Sequence, residues 1–168
     1  GSMLYTSTRG NTQPVPAAAA IRLGMVPQGG LYVPESLPRI DLSGLPHGYQ
    51  ALATKILSLF LTDYSPEELS FYAARAYGDD RFDSPDVTPL VRLDDTTSVL
   101  ELWHGPTAAF KDVALQMLPH LLSAAIAKEE SDHEVVILVA TSGDTGKAAL
   151  EGFRDVPGTR IIVFYPKD

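Results

Sequence analysis

Apolar residues at helical spacing dominate part of the first half of the chain. In YQALATKILSLFL, residues 49–61, the side chains of Leu52, Ile56 and Phe60 recur four positions apart, with polar residues between them. This period brings the three apolar side chains to one face of a helix. The pattern therefore predicts an amphipathic helix.

A second helix is marked by the residues of its first turn. In YSPEEL, Ser65 stands at the N-cap, Pro66 at the first helical position and Glu68 where a capping box requires Glu or Gln. Proline is favourable at that position because the first helical N–H has no partner inside the helix. We expect this helix to run to Tyr77 and to stop at Gly78.

The stretch before residue 49 predicts shorter elements. PVPAAAAIRLG, residues 14–24, predicts one short helix that ends at Gly24. PQGGLYVPE places a brief apolar strand, residues 31–33, between a Gly-Gly pair and a proline.

An acidic, turn-forming stretch, GDDRFDSPD at residues 78–86, is the predicted boundary between two parts of the chain. We assign residues 1–2 to a tag scar ahead of Met3. Residues 3–85 form an amino-terminal, mostly helical module with short strands, and residues 86–168 form the start of an α/β domain.

The pattern of apolar residues changes after this boundary. TPLVRL and TSVLELW predict two short strands around the turn LDDTT. VALQMLPHLLSAAIAK, residues 113–128, is apolar enough for a buried helix. Pro119 lies inside that helix and removes one hydrogen bond, so we expect a kink there.

The last segments predict a strand, a helix and a second strand. EVVILVA, residues 134–140, is a nearly continuous apolar strand of the kind buried on both faces. The loop TSGDTG, a helix in TGKAALEGF and the strand RIIVFY follow. This order predicts a βαβ unit and an α/β fold with a parallel sheet. We expect the sheet to be incomplete in this chain, because too few strands follow.

Composition excludes several classes of protein. The 168 residues are 45% hydrophobic and carry a net charge of -8, which is ordinary for a globular protein, and no Lys/Arg run offers a site for nucleic acid. There is no cysteine, and the four histidines lack metal-ligand spacing. No apolar run reaches the ~18 residues of a membrane helix. We therefore expect a cytoplasmic protein without metal, membrane or nucleic-acid partners.

The loop TSGDTG, residues 141–146, has two interpretations. It joins a strand to a helix N-terminus, where unpaired N–H groups, Gly143 and Gly146, and the hydroxyls of Ser142 and Thr145 would suit an anion. It is equally a tight turn in which Ser or Asp caps the helix. A nucleotide P-loop is excluded, because only two residues separate the glycines and alanine follows the lysine.

Lys111, in HGPTAAFKD, is the candidate for covalent chemistry. Phe110, Ala108 and Ala109 precede it and apolar residues follow, so its amine could emerge inside a sheet–helix interface. The alternative is an ordinary lysine near a helix start that extends to solvent. A candidate anion loop some 30 residues later favours the first interpretation, since amino-acid chemistry with pyridoxal phosphate needs both a lysine and an anion cradle.

Four motifs in order resemble one enzyme family. ELWHGPTAAFKDVALQ and ATSGDTGKAAL resemble threonine synthase, a pyridoxal-phosphate lyase of the tryptophan-synthase-β-like fold. The opening YTSTRGN and GGLYVPE resemble the amino-terminal part of its longer bacterial and fungal form. The resemblance runs from about residue 4 to residue 168.

The resemblance implies roles for particular residues. Lys111 would carry pyridoxal 5'-phosphate and, once free, move protons at the substrate's α and β carbons. The substrate would be O-phosphohomoserine, which loses phosphate and gains water to give threonine. The residues of the loop facing the substrate carboxylate and the edge of the cofactor would be Thr141, Ser142, Gly143, Asp144 and Thr145.

Two residues depart from the pattern of related enzymes. Relatives of this fold such as cysteine synthase have Asn where Asp144 stands, and a carboxylate cannot donate the amide's hydrogen bond. His104 stands where those relatives often have Asn, and we interpret it as structural.

The chain covers about the first third of the family's length. The glycine-rich loop for the cofactor phosphate and the partner of the pyridine nitrogen would lie beyond it, so we expect a truncated segment, inactive alone, whose partner is the remainder of the enzyme chain. Two alternatives stay open: another lyase of the same fold acting on serine or threonine, and a non-catalytic interaction module that self-associates through its sheet edge.

Overall fold

The computed structural model describes residues 1–130 and 132–167 and has a mixed α/β fold. The helices are α1 (Ala17–Leu23), α2 (Tyr49–Phe60), α3 (Pro66–Ala76), α4 (Asp112–Leu115), α5 (Leu118–Lys128) and α6 (Asp144–Gly152), with a 3-10 turn at Leu42–Gly44. The strands are β1 (Tyr5–Ser7), β2 (Tyr32–Pro34), β3 (Leu90–Arg92), β4 (Ser98–Leu100), β5 (Val135–Ala140) and β6 (Thr159–Phe164).

The main core is helical. Helix α1 packs on α5, and α2 packs on α3. Small side chains let α1 approach closely, since Ala17 and Ala18 are both buried there. The other buried members of this core are Leu61, Tyr64, Leu69, Ala73, Ala76, Met117, Leu121 and Ala125. This core joins residues from both sides of the 78–86 stretch; the domain division made above stays a prediction.

The predicted start of α3 is confirmed in full. The Ser65 hydroxyl accepts a hydrogen bond from the Glu68 N–H, and the Glu68 carboxylate accepts one from the Ser65 N–H. Both bonds measure 3.1 Å, and Pro66 occupies the first helical position. The helix ends at Ala76, with Tyr77 as its C-cap, one residue before the predicted end. Helix α1 likewise ends where predicted, with Gly24 as its C-cap at a φ of 74°.

The predicted helix over residues 113–128 is two helices. The chain leaves helical hydrogen bonding between α4 and α5, and Pro119 falls in the first turn of α5. The prediction of one continuous helix is therefore wrong, and the interruption lies just before Pro119. A proline in a first turn needs no hydrogen-bond partner for its nitrogen, so here it begins a helix.

Two short antiparallel pairs lie outside the βαβ unit. Strands β3 and β4 form the predicted hairpin, with Leu90 opposite Leu100. Strand β2 pairs with β1, an element that was not predicted from the sequence. The predicted strand at 31–33 lies one residue later in the structure.

The βαβ unit is confirmed, with β5 and β6 parallel and in register from Val135 opposite Thr159 to Ala140 opposite Phe164. The prediction that the first strand is buried on both faces is wrong. Along β5 the side chains alternate, and Leu138 is 67% exposed. Among the described residues no second layer covers this face of the sheet. The opposite face packs on α5 and α6 through Val135, Ile137 and Phe153.

Helix α6 also rests on α4. A Cβ added at Gly152 would overlap the carbonyl oxygen of Leu115, so the two backbones touch directly. Only glycine permits this approach.

Candidate functional site

Lys111 occupies the position just before α4, at the edge of an apolar groove. Its Nζ lies 4.2 Å from the centroid of the Phe110 ring, which is itself 60% exposed. The groove has a volume of about 760 Å³. Its other lining residues come mainly from α2, α4 and α5: Tyr49, Leu52, Ala53, Ile56, Leu57, Tyr77, Leu102, Val113, Ala114, Met117, Leu118 and Leu121.

The groove corrects the expected surroundings of Lys111. The sequence predicted an amine inside a sheet–helix interface, but the groove lies between helices, and β5 and β6 contribute nothing to its lining. The apolar stripe of α2 explains this, because Leu52 and Ile56 face the groove and Ile56 remains 40% exposed. The predicted amphipathic helix is thus confirmed, with part of its apolar face forming one wall of the groove.

A buried carboxylate organises the turn that carries Lys111. Asp112 is 0% exposed. One of its oxygens accepts a hydrogen bond from the Thr107 N–H at 2.8 Å, and the other accepts from the Thr107 hydroxyl at 2.7 Å. No Lys, Arg or His among the described residues forms an ion pair with it. The carboxylate therefore rests on hydrogen bonds from this turn.

The backbone of the same turn is tight. A Cβ added at Gly105 would lie 2.5 Å from the Cβ of Asp112, so only glycine fits. Ala108 has a φ of 60°, a conformation that costs a non-glycine residue about 1–2 kcal/mol. The Thr107 hydroxyl accepts a long hydrogen bond, 3.4 Å, from the N–H of Ala109. We call residues 105–112 the lysine turn.

Asp112 was not among the site residues predicted from the sequence. The available signal was the pair Thr107 and Asp112, five residues apart, with a Gly-Pro just before the threonine and a helix start at the aspartate. A pattern of this kind does not reveal burial, and burial is what distinguishes this aspartate from a solvated one.

His104 lies between two carboxylates. Its Nδ1 is 2.5 Å from an oxygen of Asp83, and its Nε2 is 2.8 Å from an oxygen of Glu101. The hydrogen bond with Glu101, and then the one with Asp83, raise the pKa of His104. The side chain is only 16% exposed, so these carboxylates face a largely covered imidazole. This arrangement supports the structural role predicted for it, because it ties the end of β4 to the 78–86 stretch.

The loop at residues 141–145 has fewer side-chain hydrogen bonds than the lysine turn. The N–H of Gly143 donates to the Thr141 hydroxyl at 3.2 Å. Gly143 is the N-cap of α6, and no side chain caps the helix. The interpretation in which Ser or Asp caps this helix is therefore wrong. Ser142 and Asp144 are exposed, and Thr145 is half-buried.

Gly146 has a packing role that differs from the one predicted. A Cβ at this position would meet the Thr141 side chain at 2.5 Å and Val163 at 3.0 Å, so glycine brings α6 close to the end of β6. At Gly143 a Cβ would meet nothing within 4 Å.

The structure does not join the two halves of the predicted site. Among the described residues, no hydrogen bond, ring contact or shared groove connects Lys111 with Thr141, Ser142, Gly143, Asp144 or Thr145. Their assignment to one site stays a prediction. Within residues 1–130 and 132–167, no helix combines the length and apolarity needed to cross a bilayer. The same residues contain no group of three or more His, Asp or Glu arranged to hold a metal ion.

Comparison with known proteins finds similarity to threonine synthases. The family described as "Threonine synthase N terminus" matches residues 4–77. Over 98% of this chain, the threonine synthase of Pseudomonas aeruginosa is 40% identical, that of Corynebacterium glutamicum is 37% identical and the threonine synthase-like 2 of Mus musculus is 39% identical. The chain spans only 35%, 36% and 35% of these relatives' own lengths, respectively.

Solved structures agree with the sequence comparison. The PLP-bound threonine synthase from Brucella melitensis superimposes with a TM-score of 0.89 at 35% identity, over 98% of this chain and 36% of that one. The yeast threonine synthase gives a TM-score of 0.86 at 33% identity, again over 98% of this chain and 36% of the other. The chain therefore matches the amino-terminal third of threonine synthases in both sequence and fold.

Proposed function

We propose that this chain is the lysine-bearing segment of a pyridoxal-phosphate-dependent threonine synthase. The complete enzyme would convert O-phosphohomoserine and water to threonine and phosphate, as a carbon–oxygen lyase in threonine biosynthesis in the cytoplasm. The observation that carries the proposal is the Lys111 amine at the edge of an apolar groove. The chain that holds this amine superimposes on the amino-terminal third of a PLP-bound threonine synthase.

The residues around Lys111 fit pyridoxal phosphate. No Asp or Glu among the described residues forms an ion pair with this amine, so it is available for a covalent bond to an aldehyde. The groove beside it is lined by aliphatic and aromatic side chains, which suit the face of a planar ring. The complete site would have the tryptophan-synthase-β-like fold, of which β5, α6 and β6 are a first βαβ portion.

Lys111 would have two tasks. It would hold the cofactor through its amine and, once the substrate has displaced it, accept and return protons at the substrate's Cα and Cβ. Bound pyridoxal phosphate supplies an electron sink for the negative charge that proton loss leaves on the substrate. The γ-phosphate departs with the electron pair of its C–O bond, and water supplies the hydroxyl group at Cβ.

The loop at the start of α6 would bind the substrate's carboxylate. Thr141, Ser142, Gly143 and Thr145 would offer N–H and hydroxyl donors at an N-terminus that no side chain caps. Ser142, Asp144 and Thr145 would face the edge of the cofactor. This assignment requires the loop and Lys111 to approach the same ligand.

The rest of the enzyme chain is the proposed partner. The exposed apolar face of the β5–β6 sheet supports this, because such a face in a parallel sheet is normally covered by a further layer. The groups that hold the cofactor phosphate and the pyridine nitrogen would come from that further segment. We therefore expect the 168-residue chain alone to lack turnover.

The first test is labelling of the purified chain with pyridoxal phosphate, followed by borohydride reduction and peptide mass mapping. We expect an absorbance band in the visible range and label on Lys111, with Lys111→Arg as the control that loses both. Label spread evenly over Lys55, Lys128, Lys147 and Lys167 would contradict the proposal for this chain.

A second candidate activity is that of a related lyase acting on serine or threonine. Such a lyase would share the Phe-Lys-Asp and Thr-Ser-Gly elements of this chain, and the apolar groove beside Lys111 would suit its cofactor equally well. Turnover of O-phosphohomoserine against turnover of threonine, in a protein that continues past residue 168, separates the two. Preferential turnover of threonine would overturn the threonine synthase assignment.

A further inference from the structure

The turn before α4 is held by a carboxylate that forms no ion pair with any described residue. Asp112 is fully buried, and burial of an ionised carboxylate is costly unless hydrogen bonds compensate for the lost water. Both of its oxygens are bonded to one residue, Thr107, through the backbone N–H and the hydroxyl. Hydrogen bonds to a carboxylate are stronger than neutral ones, so this pair fixes the distance across the lysine turn.

The turn that this pair closes is strained and close-packed. Ala108, between the two partners, is held at a φ of 60°, and Gly105 leaves no room for a Cβ against Asp112. A non-glycine residue adopts such a conformation only where surrounding contacts enforce it. The contacts here include the two hydrogen bonds to Asp112, the close approach at Gly105 and backbone hydrogen bonds within the turn, such as that from the Ala108 N–H to the Gly105 carbonyl.

The strained turn fixes the place of Phe110 and Lys111. These residues lie between Ala108 and Asp112, and the Lys111 amine lies over the Phe110 ring, with the lysine side chain partly buried. Because Asp112 also begins α4, the same side chain sets where the helix starts relative to the turn.

We infer that Asp112, acting with Thr107, is a positioning residue for the Lys111 amine. It touches neither the cofactor nor the substrate proposed above; it holds the lysine turn in the shape that presents the amine at the groove. The inference deepens the proposed function and rests on it for the chemical purpose of the amine, whereas the geometry it describes is independent of any cofactor.

The test uses a matched pair of variants at one position. Thr107→Val removes the hydroxyl at nearly constant volume, and Thr107→Ser keeps it. Asp112→Asn is a second variant, in which a single carbonyl oxygen replaces two carboxylate oxygens and only one Thr107 donor keeps its acceptor. None of the three changes Lys111 or a residue that lines the groove.

The first readout needs no cofactor. An aromatic ring shifts the NMR signals of protons above its face upfield, so the Lys111 ε-methylene signal should lie upfield of that of the exposed Lys55. Lys128, whose Nζ lies 5.0 Å from the Tyr64 ring centroid, reports in the same spectrum whether the helical core is intact. We expect Thr107→Val to lose most of the Lys111 offset, Asp112→Asn to lose part of it and Thr107→Ser to keep it, with the Lys128 offset constant.

The second readout is the share of pyridoxal-phosphate label that borohydride fixes on Lys111. Loss of one hydrogen bond to a carboxylate should lower that share about tenfold in Thr107→Val, and Thr107→Ser should restore it. An unchanged Lys111 offset in both Thr107→Val and Asp112→Asn overturns the inference, as does a lost offset with unchanged labelling. If Thr107→Val also loses the Lys128 offset, it has unfolded, and Asp112→Asn alone decides by the same criteria.

Failure of the proposed function gives a different result. In that case wild-type Lys111 takes no more label than Lys55, while the NMR offset still follows the hydroxyl of residue 107. This outcome would show that Asp112 and Thr107 position the Lys111 amine, and that the amine does not serve pyridoxal phosphate.

Discussion

The helical core and the β5–β6 sheet differ in how completely their apolar side chains are buried. In the core, α1, α3 and α5 surround side chains such as Leu69, which is completely buried. In the sheet, one face packs on helices and the other exposes Val136, Leu138 and Ile162 among the described residues. Lys111 lies on the helical side of this contrast, because the groove beside it is lined mainly by residues of α2, α4 and α5.

The largest expected effect comes from matched leucine truncations in the two regions. Leu69→Ala should lower the free energy of unfolding by about 2–5 kcal/mol, because it opens a cavity in the helical core. Leu138→Ala, on the exposed sheet face, should change it by less than about 0.5 kcal/mol. Urea denaturation followed by circular dichroism measures both. Equal losses would mean that the exposed face is covered in solution.

Two tyrosines, one in the helical core and one just after the sheet, should show the same contrast in unfolding free energy with a smaller effect. The buried Tyr64 hydroxyl donates to the carbonyl of Leu121 at 2.6 Å, joining the segment before α3 to α5. Tyr64→Phe should cost about 1–1.5 kcal/mol of unfolding free energy, the usual range for a lost buried hydrogen bond. Tyr165→Phe, just after β6, is the control and should cost less than about 0.5 kcal/mol, since Tyr165 is exposed. A larger loss at Tyr165 would contradict the contrast.

Helix starts give a third pair. Ser65→Ala removes the capping box of α3 and should cost about 1 kcal/mol of unfolding free energy. Ser142→Ala precedes α6, where no side chain caps the helix, and should cost much less. Thermal denaturation of the two variants in parallel gives the comparison. A cost at Ser142 as large as that at Ser65 would show that Ser142 caps α6 in solution.

The smallest expected effect concerns His104, which links the 78–86 stretch to the end of β4. Its pKa is raised in the folded chain by Glu101 and then by Asp83, so the protonated form favours folding. This contribution is fully present below the unfolded value of about 6.5 and is lost as the pH rises through the raised pKa. The difference in urea midpoint between the wild type and His104→Gln should therefore decrease as the pH is raised from 5.5 to 9. A difference that stays constant or grows over this range would contradict the ion pairs.

Local signals explain which elements the sequence could predict. The capping box of α3 needs only Ser65, Pro66 and Glu68 within one turn, and the hairpin needs only two short apolar runs around LDDTT. Pro119 is compatible with a kink inside a helix and with the first turn of a new one, and the local sequence does not decide between them. The apolar run of β5 suits burial on both faces, whereas the number of covering layers is set by residues distant in sequence.

The candidate site also contains residues that local sequence could predict and residues that it could not. Lys111 could be singled out because its apolar neighbours are adjacent in sequence. The groove wall contributed by α2 could not, since it stands more than fifty residues earlier in the chain. Asp112 looked like any aspartate at a helix start until its burial and its bonds to Thr107 were known.

Gly152 has a consequence for which substitutions this chain can accept. The residue seats α6 on the Leu115 carbonyl, so any side chain there must push two short helices apart. One of these helices begins at the uncapped loop and the other at the lysine turn. A library randomised at position 152 and selected for folded protein should therefore return glycine alone. The contact lies at the C-terminal ends of α6 and α4, whereas the loop and the lysine turn whose spacing it sets lie at their N-terminal ends.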